Sequence, residues 1–524
     1  MIKKYLICFT YILLPLAGGG LIGLATSWGA GLSPDSILYI SVARNLLAGQ
    51  GLMVLDANGA MMPLVHYPPL YPAWLALGGG LGFDPLDWAR WANLICFGLN
   101  IALFARLAKK LIPGDAWPLL LTSLMLLGLP NRLVHAMAWS EPLFLLLGFS
   151  GIACLEASQS RRTWPWLGLA ALALGLSSLV RYTGLVFIAT GVLMVAHRNF
   201  FRDRPDWRQP AIFSLMSGLP WLAWTARNYL LFGSFSDRQL YFHPPAASQL
   251  LGAAQNVTAW FCLPQFLTVG GAFGFLLFFA LALLVGVSTI RRWQNRPAQV
   301  FSPDRTFLAD TLLLFGIGYA LFVLLSLTFF DAHTELDQRI LVPLFWVGLL
   351  LIGWVLAGLL RKFSNWRWLH LMMAILAGLS LVFYVTDAAL WCQRHHAQGN
   401  GYASPIWKNS GLIGPIRAID PTRQIFTNGL DLVYLVSSRQ AKSLPARTDP
   451  VTQLANPLYA RQMNEMRNLL ERQAAVIVYF RRISWRWYLP NEQDIMKMMP
   501  LVPLVAEKDG GIYFLNSPSP QISQ

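Results

Sequence analysis

Charged residues are scarce in this sequence. Asp, Glu, Lys and Arg make up 12% of its 524 residues and apolar residues 55%, with a mean hydropathy of +0.48. Soluble domains carry about 25% charged residues, so a soluble multi-domain protein is excluded. Cysteine is scarce too. Of the five, Cys8, Cys96 and Cys154 fall inside apolar runs. That leaves Cys262 and Cys392 as the pair a disulfide could join, and no Cys/His spacing fits a metal centre. No internal repeat or low-complexity tract is visible, which counts against transporters built from paired repeats. Acidic residues are outnumbered 25 to 40 by Lys and Arg. The bases lie in short clusters between apolar runs rather than along one face, which records membrane topology and excludes a nucleic-acid partner.

What the sequence has instead is apolar runs, each about twenty residues long and able to cross a hydrocarbon core of roughly 30 Å. Length and apolarity predict spans at 5–26, 90–108, 116–132, 139–157, 164–180, 182–197, 210–225, 264–290, 306–329, 340–360 and 368–386, about eleven crossings. Lys3 and Lys4 ahead of the first run, with Ala25 and Ala30 beyond it, also have the form of a cleaved signal peptide. The run is long for one, so an uncleaved span is the preferred reading. With the N-terminus cytoplasmic, Lys109 and Lys110, Arg161 and Arg162, and the clusters 198–208, 291–305 and 361–367 all lie on the cytoplasmic side, as the positive-inside rule requires. Trp88, Trp91, Trp139, Trp164 and Trp166 mark interfaces.

After about residue 390 the pattern changes. Strands are predicted at Gln424–Thr427, at 474–480 and as a pair around 509–511, with helices at 459–473 and near 491–498. The expected fold is an α-helical polytopic protein of the inner or plasma membrane over residues 1–391, including a long outer loop at 27–89. A small extracytoplasmic α/β domain follows over 392–524.

Polar residues at membrane depth or at span ends are costly, so those on the outer face are the candidates for a site. The first outer loop contains Ser33-Pro34-Asp35-Ser36, then Tyr39, Ala43-Arg44-Asn45, Gly49-Gln50-Gly51 and His66-Tyr67-Pro68-Pro69-Leu70-Tyr71-Pro72. A helix is expected over 36–48, capped by Ser33 or Asp35 and closed by Gly49 or Gly51. Further along come Ser140-Glu141-Pro142, Arg181-Tyr182, Arg227-Asn228 and Arg339-Ile340-Leu341-Val342-Pro343.

In that order these motifs resemble the GT-C superfamily of polyprenyl-phosphate-sugar-dependent glycosyltransferases, in particular its protein mannosyltransferase and aminoarabinose transferase branch. The resemblance covers about the first 345 residues. It implies a GT-C-like membrane domain that transfers a hexosyl or pentosyl group from a polyprenyl-phosphate donor, with inversion, to a glycan, lipid or protein acceptor outside the cytoplasm. It also implies that Asp35 is the base. The chain departs from the pattern at Ser36, where many members carry a second carboxylate, and at Tyr67, where the aminoarabinose branch has Lys. These departures argue against assigning that branch's donor or acceptor.

The chemistry agrees with the resemblance. A sugar on a lipid phosphate already has a leaving group, so transfer needs one base and positive charge to hold the phosphate, not the carboxylate pair of glycoside hydrolysis. Tyr39, Arg44, His66, Tyr67, Arg181, Arg227 and Arg339 are then the substrate-binding candidates. Other roles stay open: Asp35 as a helix cap, the arginines as interfacial anchors, and Glu141 as a partner of Arg132 or Arg181 or, with Asp35, as a ligand of a divalent metal ion. His66 and His333 also fit as satisfied polar residues, Glu335 and Asp337 as counter-charges to Arg339, and Asn256-Val257-Thr258 has the N-glycosylation pattern. The run 481–488 suits headgroup or glycan contact, or an exposed strand. A lipid or glycan transporter is the alternative from another class, and a non-catalytic assembly subunit the third.

Overall fold

The computed structural model describes residues 9–56, 59–159, 163–200, 204–236, 238, 240–261, 305–330, 334–449 and 452–515, with isolated positions between 276 and 287. Lys3, Lys4, Cys8, Arg161, Arg162, Cys262, His333, the stretch 291–304 and nearly all of the expected span 264–290 lie outside the described residues.

A π-helical turn Phe9–Leu13 leads into α1 (Leu14–Ala25), then α2 (Pro34–Leu47), β1 (Met53–Leu55), β2 (Met61–Pro63), α3 (Leu70–Gly80) and α4 (Pro85–Leu111). Next come α5 (Ala116–Leu127), α6 (Leu129–Ala136), α7 (Glu141–Ala157), α8 (Thr163–Val180), α9 (Gly184–Phe200), α10 (Arg208–Phe232) and α11 (Ala247–Ala259). They are followed by α12 (Arg305–Phe329), α13 (Gln338–Lys362), α14 (Arg367–Gln398), α15 (Pro405–Lys408), α16 (Ile413–Ala418), β3 (Gln424–Thr427), α17 (Leu430–Ser437) and β4 (Lys442–Ser443). The chain ends with α18 (Tyr459–Glu471), β5 (Ala475–Phe480), α19 (Glu492–Met498), β6 (Leu501–Glu507) and β7 (Gly510–Leu515). These elements form two compact units, Met1–Ala30 with Val65–Gly399 and Gly31–Leu64 with Asn400–Gln524. The loop expected at 27–89 is thus divided between them.

In the first unit α4, α8, α13, α14 and residues Thr306–Phe329 of α12 are long and apolar enough to cross a membrane. They coincide with the expected spans at 90–108, 164–180, 340–360, 368–386 and 306–329. The expected spans 5–26, 139–157, 182–197 and 210–225 appear as α1, α7, α9 and part of α10.

The expected span 116–132 is not one helix. It breaks at Gly128, with 49° between α5 and α6. Gly128 is extended there, Pro130 opens α6, and a Cβ at Gly128 would lie 2.5 Å from the Phe345 ring. Carbonyls released by such a break need partners when buried. Asn131 Nδ2 donates to Met125 O at 2.7 Å, and Trp346 Nε1 donates to Asn131 Oδ1 at 2.8 Å. His135 bridges Asn131 O at 2.7 Å and Asn100 Nδ2 at 3.0 Å. The apolar runs are therefore polar inside as well as at their ends. Arg132, fully buried, pairs with Asp387 and stacks 5.1 Å from the Trp391 ring centroid. Cys392 is a free thiol.

The second unit holds a five-stranded sheet in the order β4-β3-β5-β7-β6. β3 is parallel to β4 and β5, and β7 is antiparallel to β5 and β6. Met463, Met466 and Leu470 of α18 pack with Ile477, Tyr513 and Leu515 to form its core. α2 and the antiparallel β1–β2 hairpin belong to this unit.

Candidate functional site

Glu141 opens α7 and is 2% exposed. Its Oε1 accepts from Arg181 Nη1 and from Arg339 Nε. Arg181 also donates to Ser140 Oγ at 3.2 Å. Arg181 sits in the tight turn joining α8 to α9, where its carbonyl accepts from Gly184 N at 2.8 Å. Arg339 is the second residue of α13, and Asp337 caps that helix by accepting from Ile340 N at 2.9 Å. The sequence suggests Asp337 as a counter-charge to Arg339. In the structure its carboxylate bonds to backbone, and burial pushes its carboxyl up against the opposing pull of Ile340 N–H and Arg339. The Arg339 guanidinium stacks 4.4 Å from the Trp139 ring centroid.

Arg227, near the end of α10, lies 4.6 Å from the Trp224 ring centroid and donates to Asn228 Oδ1 at 3.0 Å. Trp224 Nε1 donates to the Tyr182 hydroxyl at 3.2 Å, and that hydroxyl donates to Val65 O at 2.9 Å. This chain of bonds ties Arg227 to the residue after Arg181 and to the start of the His66-Tyr67 segment. His66 and Tyr67 meet edge to face at 4.6 Å. The first unit thus gathers Glu141, Arg181 and Arg339 at one carboxylate and links Arg227 and the His66 segment through Tyr182.

Asn256 of the glycosylation pattern is engaged in structure. It donates to Leu336 O at 2.9 Å and accepts from Gln338 Nε2 at 3.0 Å, next to Arg339. Glu141 does not pair with Arg132, which belongs to Asp387.

Asp35, Tyr39 and Arg44 lie in the second unit, on α2. Its cap is Ser33, whose Oγ accepts from Ser36 N at 3.4 Å while Ser36 Oγ accepts from Ser33 N at 3.1 Å. Asp35 stands in the first turn, half-buried, and is not the cap. Tyr39, one turn on, is 2% exposed and part of the interior. Arg44 is in the last turn, roughly 13 Å along the axis from Asp35 at about 1.5 Å per residue. The helix therefore separates Arg44 from Asp35.

The Glu141 cluster has the chemistry of an anion site. Two guanidiniums occupy one carboxylate oxygen, and aromatic faces hold two of the three arginines. Two guanidiniums on Glu141 Oε1 oppose a divalent cation at that oxygen. Among the described residues no three His, Cys, Asp or Glu side chains converge on a metal position.

No protein-family model and no curated protein matches this sequence. Solved structures do match the fold. ArnT from Cupriavidus metallidurans in the apo state aligns with a TM-score of 0.59 and 14% identity, over 96% of this chain and 97% of that one. ArnT bound to undecaprenyl phosphate aligns with a TM-score of 0.56 and 13% identity over the same shares. AglB from Archaeoglobus fulgidus, in complex with an inhibitory peptide and a dolichol-phosphate, gives 0.58 and 11%, over 92% of this chain and 70% of that one. This chain has the GT-C fold.

Within this GT-C fold, sequence reasoning missed Trp224 as a platform and took Trp139 for an interfacial anchor. A signal existed for Trp224, which lies three residues before Arg227 on a helix and so shares its face. Nothing local pairs Trp139 with Arg339.

Proposed function

We propose that this protein is a membrane glycosyltransferase that moves a sugar from a polyprenyl-phosphate carrier to an acceptor outside the cytoplasm. The observation that carries the reading is the pair Arg181 and Arg339 on the buried Glu141 carboxylate, within a unit of apolar helices. The GT-C fold supports it, since ArnT was solved with undecaprenyl phosphate and AglB with a dolichol-phosphate. In the proposed reaction the acceptor hydroxyl oxygen bonds to the anomeric carbon from the face opposite the phosphate. The anomeric C–O bond breaks, its electrons leave with the lipid phosphate, and the configuration inverts. Asp35 takes the hydroxyl proton, and Arg181, Arg227 and Arg339 hold the charge that grows on the phosphate.

A specific observation favours a second reading, a lipid or glycan transporter. Broken helices and polar residues among apolar spans are what transporters use, and the α5–α6 break with Asn100, Asn131 and His135 has that form. Those groups bond to one another and to the freed carbonyls, which is how a static break is satisfied. Proteoliposomes loaded with labelled polyprenyl-phosphate sugar decide between the two. The enzyme reading expects label to leave the lipid phosphate in the presence of acceptor. Movement of intact lipid between leaflets without cleavage would replace it by the transporter.

A further inference from the structure

α2 enters through a segment held by a distant part of the chain. Leu32 pairs with Gly401 as a parallel bridge. Leu32 N donates to Asn400 O at 3.3 Å, and Tyr402 N donates to Leu32 O at 2.9 Å. Leu32 and Tyr402 are 4% and 3% exposed, so water does not compete for these bonds. Gly401 has φ +55°, and a Cβ there would lie 2.0 Å from Leu32 O. Only glycine permits this approach. From Leu32 the chain passes through the Ser33–Ser36 capping box to Asp35 within three residues. Beyond the helix, Asn45 Nδ2 donates to Met53 O at 2.9 Å, and α2 packs against α17 of the same unit.

We propose that the Asn400–Tyr402 turn is the positioning element for the Asp35 carboxylate, which makes the C-terminal part of the chain a working part of acceptor activation. This rests on the reading of Asp35 as the base. A Cβ at Gly401 must open the 2.0 Å approach to 3.0 Å or more, and so shifts the Leu32 backbone on which Asp35 depends. A misplacement of about 1 Å at a reacting group costs on the order of a hundredfold in rate.

The test uses the full-length protein in proteoliposomes. Gly401→Ala is expected to lower kcat on the order of a hundredfold with the donor KM unchanged. Gly414→Ala, on a helix face with open space, is expected to keep the wild-type rate. Ser33→Ala, which adds no bulk, loosens the same turn and should also lower kcat, with Ser33→Thr restoring it. The deciding measurement is the double variant with Asp35→Glu. If Gly401 acts through Asp35, its substitution costs far less in that background, where the carboxylate is already displaced. An undiminished loss in both backgrounds, or a normal kcat for Gly401→Ala, overturns the positioning role. Asp35→Asn at the wild-type rate would instead remove the base reading itself, so the two failures are distinguishable.

Discussion

Arg339 donates through Nε to the same Glu141 oxygen that takes Arg181 Nη1, although it lies 198 residues from Glu141 and Arg181 only 40. One buried carboxylate thus fixes two guanidiniums, one from the turn between α8 and α9 and one from the start of α13. Removing it leaves like charges facing each other in a site with little water. Taking away one partner of a buried ion pair costs about 3–5 kcal/mol. With the arginine side chains still 17% and 15% exposed, about 3 kcal/mol is expected for Glu141→Ala, and less for Glu141→Gln, which keeps an acceptor. Thermal unfolding in detergent measures this, and an Ala variant as stable as wild type would show that the carboxylate does not hold the cluster.

Replacing Arg227 or Arg339 with Ala should raise the donor KM about tenfold to a hundredfold, since a charge-assisted contact to phosphate is worth roughly 1.5–3 kcal/mol. Lys at position 339 should not restore it, because an ammonium lacks the planar face that stacks on Trp139 and the Nε donor that reaches Glu141. Kinetics with both substrates varied report the split. An effect confined to the acceptor KM would move the arginines away from the donor.

Asp35→Asn should abolish transfer, by about a hundredfold to ten-thousandfold, while the protein stays folded and binds donor lipid. Ser33, not Asp35, caps α2, so Asp35→Asn leaves the cap in place and removes a first-turn charge worth about 0.3–1 kcal/mol to the helix. Activity, thermal stability and donor binding belong on one preparation. Turnover near the wild-type rate would take the base away from Asp35.

Chelation is expected to leave donor binding at the Glu141 cluster unchanged, because guanidiniums rather than a cation supply its positive charge. Exhaustive chelation followed by elemental analysis and donor titration checks this. Loss of binding that added metal restores would put an ion among these residues.

The basic-loop asymmetry predicts a cytoplasmic N-terminus and an outward-facing C-terminal part that includes Lys442 and Arg461. Single cysteines at positions 160, 300 and 450, in a cysteine-free background and labelled on intact cells with an impermeant reagent, should react at 450 only. Labelling at 300 but not at 450 would reverse the topology.

Composition and periodicity by themselves determined that the chain is a bundle of apolar helices followed by an α/β segment. A run of about twenty apolar residues has one stable form in lipid, and the strands Gln424–Thr427 and Ala475–Phe480 show as short apolar stretches between breakers. The order of short motifs picked out the arginines and Glu141. Sequence order could not say that Glu141 takes Arg181 and Arg339 while Arg132 goes to Asp387, because ion-pair choice depends on which helix ends meet. It could not foresee the break at Gly128, where a Cβ would lie 2.5 Å from the Phe345 ring. Nor could it join Leu32 to Gly401. That contact is a pair of backbone hydrogen bonds between distant segments, and a backbone group does not name its partner in the sequence, so only the tertiary structure decided which part of the chain pairs with Leu32.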